Sequence, residues 1–207
     1  MTAEHLRTEH LRTKYRDMWA SGEGSLRLAE HEPNPIPLHG DRRWGLSLVL
    51  LIEGSVRDEL RSELDALASL RRTPHLVYAP EHLHSTIRSL KGFQDEVPAS
   101  QVEHYADQLG RVAEGLPPMK VEYTGLSGSA GGIFACGYPS ESLITLRRRL
   151  HEDQLPVGPL GVESADANFI RDTAHVSLMV YRPPLTPRPR SPTMYLDVPT
   201  PTLARCP

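Results

Sequence analysis

The chain has 207 residues, 39% of them hydrophobic and 24% charged, the make-up of one folded domain or two small lobes rather than of a disordered chain. Twenty-six acidic residues against 23 basic ones leave a net charge of −3, which excludes a uniformly basic coat for DNA or RNA. Two cysteines, Cys136 and Cys206, exclude a disulfide framework and a CxxC pair, and the longest apolar run, 46–52, is too short to cross a bilayer.

In chain order, residues 2–20 are rich in helix formers and repeat EHLRT at Glu4 and Glu9. Leu11, Tyr15, Met18 and Trp19 fall on one helical face, which can dock on the body. No apolar signal-peptide core precedes them, so a cytoplasmic protein is expected. After a loop with Pro33, Pro35 and Pro37, residues 45–53 (GLSLVLLIE) predict a buried strand. Ser55 stands at an N-cap position before a helix carrying Leu60, Leu64, Leu67 and Leu70. Residues 75–79 and 83–90 predict two strands broken by Pro80. A helix over 100–114 follows, then strands over 120–126 and 133–138 around a glycine-rich hairpin turn, a helix over 140–151 and a last strand over 173–181. Arg147, Arg148 and Arg149 read as a solvated helix end that offsets the dipole. Eight of the 19 prolines lie after Arg182, which predicts an extended strap. The resulting division is a helix and linker over 1–42, a mixed α and β body over 43–182, and a proline-rich tail over 183–207.

Of ten histidines, two stand in the pattern H-x-[Ser/Thr]-aliphatic: His84-Ser85-Thr86-Ile87 and His175-Val176-Ser177-Leu178. Chance from composition supplies about 0.5 such matches. Both fall in predicted strands from opposite halves of the chain. Alternation puts His84, Thr86 and Arg88 on one face, and His175, Ser177, Met179 and Tyr181 on another. Two imidazoles and two hydroxyls around one anion suit a phosphodiester. One imidazole removes a proton from the attacking oxygen and the other protonates the leaving oxygen, while the hydroxyls donate to the phosphoryl group. His82 and His84 form an HxH pair that could begin a metal site, but Ser85, Thr86 and Ile87 follow where a metallohydrolase pattern needs further ligands.

The stretch from Tyr78 to Leu90, with Pro80 and Glu81 ahead of the first motif, together with His175-Val-Ser-Leu, resembles the two-histidine (2H) phosphoesterases. That superfamily includes RNA 2′-5′ ligase-like proteins and cyclic nucleotide phosphodiesterases. The resemblance runs over about 44–181 and implies an α+β fold, with two lobes of antiparallel sheet flanked by helices around a central cleft. It implies catalytic His84 and His175, with Thr86 and Ser177 binding the substrate phosphate. Arg88 and Tyr181, further along the same faces, are candidates for holding the substrate. Val180 stands where the ligase-like branch often has a basic residue, with Arg182 two positions on.

The expected activity is a metal-independent phosphodiesterase on 2′,3′-cyclic phosphates or 2′-5′-linked nucleotides or RNA, needing no cofactor. The expected partner is that substrate, with no membrane and no DNA duplex, and the expected state is a monomer. The alternatives are a nucleotide- or RNA-binding module without turnover, RNA 2′-5′ ligation by the same groups, and a metal hydrolase built on His82 and His84.

Overall fold

The computed structural model describes residues 3–28, 30–69, 75–153 and 163–183. Leu70 and nearly all of the proline-rich tail therefore lie outside the described residues. Four helices, α1 (Ala3–Arg27), α2 (Gly54–Ser69), α3 (Ala99–Ala113) and α4 (Glu141–Glu152), surround six strands: β1 (Ser47–Leu51), β2 (Leu76–Val77), β3 (His84–Ser89), β4 (Val121–Ser129), β5 (Gly132–Pro139) and β6 (Val176–Val180). No described helix is long and apolar enough to cross a membrane.

The α+β class holds, but the strands join one antiparallel sheet in the order β1-β3-β6-β5-β4, where two sheets were expected. The reason is β6, which pairs with β5 along one edge and with β2 and β3 along the other, so it stitches the two halves together. The stitch to β3 is narrow, a single pair, Ser85 with Val176.

Apolar burial divides the sheet's faces. On one face Ile87, Val176 and Leu178 meet Leu60, Leu64 and Leu67 of α2 and Leu143, Leu146 and Leu150 of α4, and α3 packs behind α4 through Leu109 and Val112. Successive strand residues point to opposite sides, so the neighbours of these core residues face the other way. There α1 covers β4 and β5, burying Leu11 and Tyr15 against Phe134 and Cys136.

Several boundaries move for identifiable reasons. Helix α1 runs on to Arg27 through Gly22, where an added Cβ would lie 2.5 Å from the Ser129 backbone, so glycine permits the helix to lie against the hairpin. β1 is an edge strand of intermediate burial and not a buried one, because it has a partner only in β3. The glycine-rich stretch is mostly strand, and only Ala130 and Gly131 separate β4 from β5. Gly125 takes a positive φ of 76° at the register shift between Tyr123 and Leu126, which explains a glycine inside β4. Arg147 is 1% exposed and not solvated, since it lies on the same helical stripe as Leu143 and Leu150.

Candidate functional site

The single β3–β6 pair sets the geometry of the two motifs. Ser85 and Val176 point into the helix-covered face, so the residues beside them point to the opposite face. Ser85 and Val176 are the one pair between β3 and β6, and His84 and His175 each stand one residue ahead of it. The two motif segments are thereby brought side by side, close enough for His84 to act electrostatically on His175. β6 itself begins at Val176, so His175 stands one residue ahead of the strand in which it was predicted.

Local contacts orient the first motif. Pro80–His82 forms one turn of 3-10 helix, in which the fixed φ of Pro80 suits the first position, and the chain enters β3 directly after it. His84 Nδ1 lies 2.8 Å from the His82 carbonyl oxygen and donates to it, which leaves Nε2 as the free ring nitrogen. His82 therefore serves the site through its backbone, while its side chain is exposed. Beneath the pair, Ser85 Oγ donates to the Ala174 carbonyl at 2.6 Å and meets the Tyr123 hydroxyl at 2.8 Å. Ser85 is fully buried and ties β3 to the chain just ahead of His175. Tyr123 can reach it because β5 carries Gly137 opposite, where a Cβ would sit 3.0 Å from the tyrosine ring.

The second motif is more enclosed. The His175 ring packs 4.9 Å from that of Phe134, which in turn lies 5.8 Å from Tyr15 on α1. His175 Nδ1 lies 3.2 Å from Thr173 Oγ1. Lys14 on α1 grips both carboxylate oxygens of Asp172 at 2.7 Å, so the N-terminal helix is tied to the chain three residues before His175. Burial, with the positive charges of Arg171, Arg147, His84 and Lys14, lowers the His175 pKa to about 4. At neutral pH this imidazole is uncharged in a positive field. That positive field attracts an anion and disfavours the protonated imidazole.

The two outlying candidates differ from the four motif residues. Arg88 is half-buried beyond Thr86, and its Nη1 donates to His151 Nδ1 of α4 at 3.2 Å. Tyr181 lies six residues beyond His175, about 20 Å along an extended chain, and is not brought to the motif pair. It is buried against the rings of His75 at 4.9 Å and His31 at 5.9 Å, and burial raises its pKa to about 12. Its backbone N–H donates to Gly131 and its carbonyl accepts from Asn34, which is the environment of a packing residue at the sheet's end.

Sequence reasoning missed the residues that surround His175: Lys14, Tyr15, Phe134, Arg147, Arg171 and Asp172. Only Arg147 carried a usable signal, its place on the apolar stripe of α4. Arg171 and Asp172 stand four and three residues ahead of His175, outside any motif, while Lys14, Tyr15 and Phe134 arrive from remote segments that no local pattern joins to it.

No protein-family model matches the chain, and no curated protein sequence matches it. Among solved structures, it is similar to the crystal structure of TT0787 of Thermus thermophilus, at 20% identity and a TM-score of 0.47, over 69% of this chain and 75% of that one.

Proposed function

We propose that the protein is a metal-independent phosphodiesterase of the two-histidine type, acting on 2′,3′-cyclic phosphates or 2′-5′-linked nucleotides or RNA. The observation that carries this reading is the Ser85–Val176 pair, which brings the two H-x-[Ser/Thr]-aliphatic segments side by side. In hydrolysis, a water oxygen attacks phosphorus and one imidazole takes its proton. The other imidazole protonates the ribose oxygen as its bond to phosphorus breaks. His175 enters neutral and takes the proton-acceptor role, although burial and the surrounding cations disfavour its protonated form. His84 enters as the imidazolium, with Nδ1–H on the His82 carbonyl, and gives its Nε2 proton to the leaving oxygen. Thr86 and Ser177 hydroxyls donate to the nonbridging oxygens, each bond to a charged group contributing about 1.5–3 kcal/mol.

A binding module without turnover is the second reading, favoured by the enclosure of His175 beneath Phe134. Screening 2′,3′-cyclic, 2′-5′-linked and 3′-5′-cyclic substrates, with the product position read by NMR, separates the two. Turnover of the first or second class that survives excess EDTA is the expected result. Tight binding with no product would favour the module, and loss of turnover in EDTA with recovery in zinc would favour the metal hydrolase.

A further inference from the structure

The β3–β6 seam lacks a ladder, yet it holds the two motifs in register. Ser85–Val176 is the one ladder pair between β3 and β6, and the chain ahead of Val176, over 171–175, is not strand, although Ala174 N–H still donates to Gly137 O on β5. At the same place β3 bulges. Thr86 pairs with Val49 and Arg88 with Leu48, so Ile87 is the extra residue, and a bulge re-aims backbone groups. Carbonyls left there in a buried position need donors. Arg147, reaching up from α4, supplies them: Nη2 donates to Thr86 O at 2.7 Å, Nε to Ile87 O at 3.1 Å and Nη1 to Arg171 O at 3.1 Å. All three of its nitrogens are spent on backbone carbonyls of the two motif segments. A buried arginine used this way is a planar fork bridging two chains, a geometry that lysine cannot reproduce.

We propose that Arg147 is a positioning residue for the histidine pair, riveting the Thr86–Ile87 backbone to the segment that leads into His175. The inference rests on the phosphodiesterase reading for its catalytic meaning, but the rivet itself stands on geometry. The same guanidinium also bears on His175 electrostatically. Burial draws the Arg147 pKa down to about 10, which still leaves it protonated at neutral pH. The groups whose charge acts on His175 are Arg171, Arg147, His84 and Lys14, and the Lys14 charge is countered by its partner Asp172. Arg147 is the one among them whose position is fixed by three backbone bonds.

Two substitutions separate the fork from the charge. Arg147→Lys keeps the charge and loses the fork; Arg147→Gln loses the charge and most of the fork. Three quantities are read in the full chain: the His175 imidazole titration by NMR, hydrogen exchange of the β3 and β6 amides, and turnover of a 2′,3′-cyclic nucleotide. In Arg147→Lys, the His175 titration should stay low while the seam amides exchange faster and turnover falls about 10- to 100-fold. In Arg147→Gln, the seam should loosen likewise and the His175 midpoint should rise by about half a unit or more. Seam exchange at the wild-type rate in Arg147→Lys would overturn the rivet, as would wild-type turnover in that variant. If Arg147→Gln does not fold, the Lys variant still decides. If the wild-type protein turns over no substrate, the phosphodiesterase reading fails, whereas titration and exchange still test the rivet.

Discussion

Along one edge β6 pairs with β5 at four positions, from Gly132–Val180 to Ala135–Val176, while along the other it meets β3 at one, Ser85–Val176. The first edge is held by backbone, and its demand is for small residues. A Cβ on Gly132 would come 2.2 Å from the Met179 carbonyl oxygen, and one on Gly137 would come 2.0 Å from that of Ala174. The second edge is held by backbone only where β2 pairs with the end of β6, and at β3 it is held by side chains, the Ser85 hydroxyl and the Arg147 fork. A full ladder leaves little freedom for what projects from it. At the open seam the two motif segments instead lie side by side, tied by side-chain bonds. The candidate chemistry lies where the sheet is least continuous.

The largest expected effect tests whether the seam is the site. His84→Ala and His175→Ala should each lower turnover of a 2′,3′-cyclic substrate by about 10²–10⁴-fold while the thermal transition persists. Because the pair acts as a unit, the double variant should lose far less than the product of the two. Wild-type turnover in both single variants would refute the assignment. The next effect tests the ladder. Gly132→Val should cost about 3 kcal/mol by urea melt, since a side chain there meets main chain that cannot give way. A variant as stable as the wild type would show that β5 and β6 are not held as closely as Gly132 implies. Ser85→Ala, at the seam, should cost about 1–3 kcal/mol through the unmet Ala174 carbonyl and Tyr123 hydroxyl. It should also lower turnover more than Gly132→Val does at equal loss of stability, and the reverse ranking would break the comparison.

The ladder was more legible in the sequence than the seam. The strands expected over 120–126 and 133–138 located β4 and β5, although the glycine-rich turn expected between them is mostly strand, and the H-x-[Ser/Thr]-aliphatic pattern located both motif segments, because each is encoded within a few consecutive residues. Which strand lies beside which is a long-range property. Ser85 gave no sign that it would be the sole link to a residue 91 positions later, so one sheet could not be told from two. Arg147 was legible in principle from its helical position, but three consecutive arginines at a helix end also satisfy the dipole, and that simpler account prevailed. Tyr181 was expected in the last strand, but β6 ends at Val180. Its burial depends on His31 and His75, which arrive from two other segments.

The smallest effect sets the two ends of β6 against each other through pH. His175 sits at the seam, and His75 at the far end of β6, where its Nδ1 accepts the Arg182 backbone N–H at 3.2 Å. Both have pKa values lowered to about 4, in each case first by burial, and for His75 by the nearby His31 as well. In the unfolded chain each returns to about 6.5, so below that pH the unfolded state binds more protons than the folded one. Stability from these groups is therefore complete above about pH 6.5 and is lost as pH falls toward 4. His75 is only partly buried, so solvent screening makes its share the smaller of the two. With that discount the pair should cost about 1 kcal/mol between pH 7 and pH 6, measured as the change in urea midpoint at constant slope. His75→Gln should remove the smaller part of that loss and leave turnover at neutral pH unchanged, because the substitution acts at the ladder's end. An acid slope unaltered by His75→Gln would mean that His75 is protonated without cost in the folded state, and that the β2–β6 end is open to water.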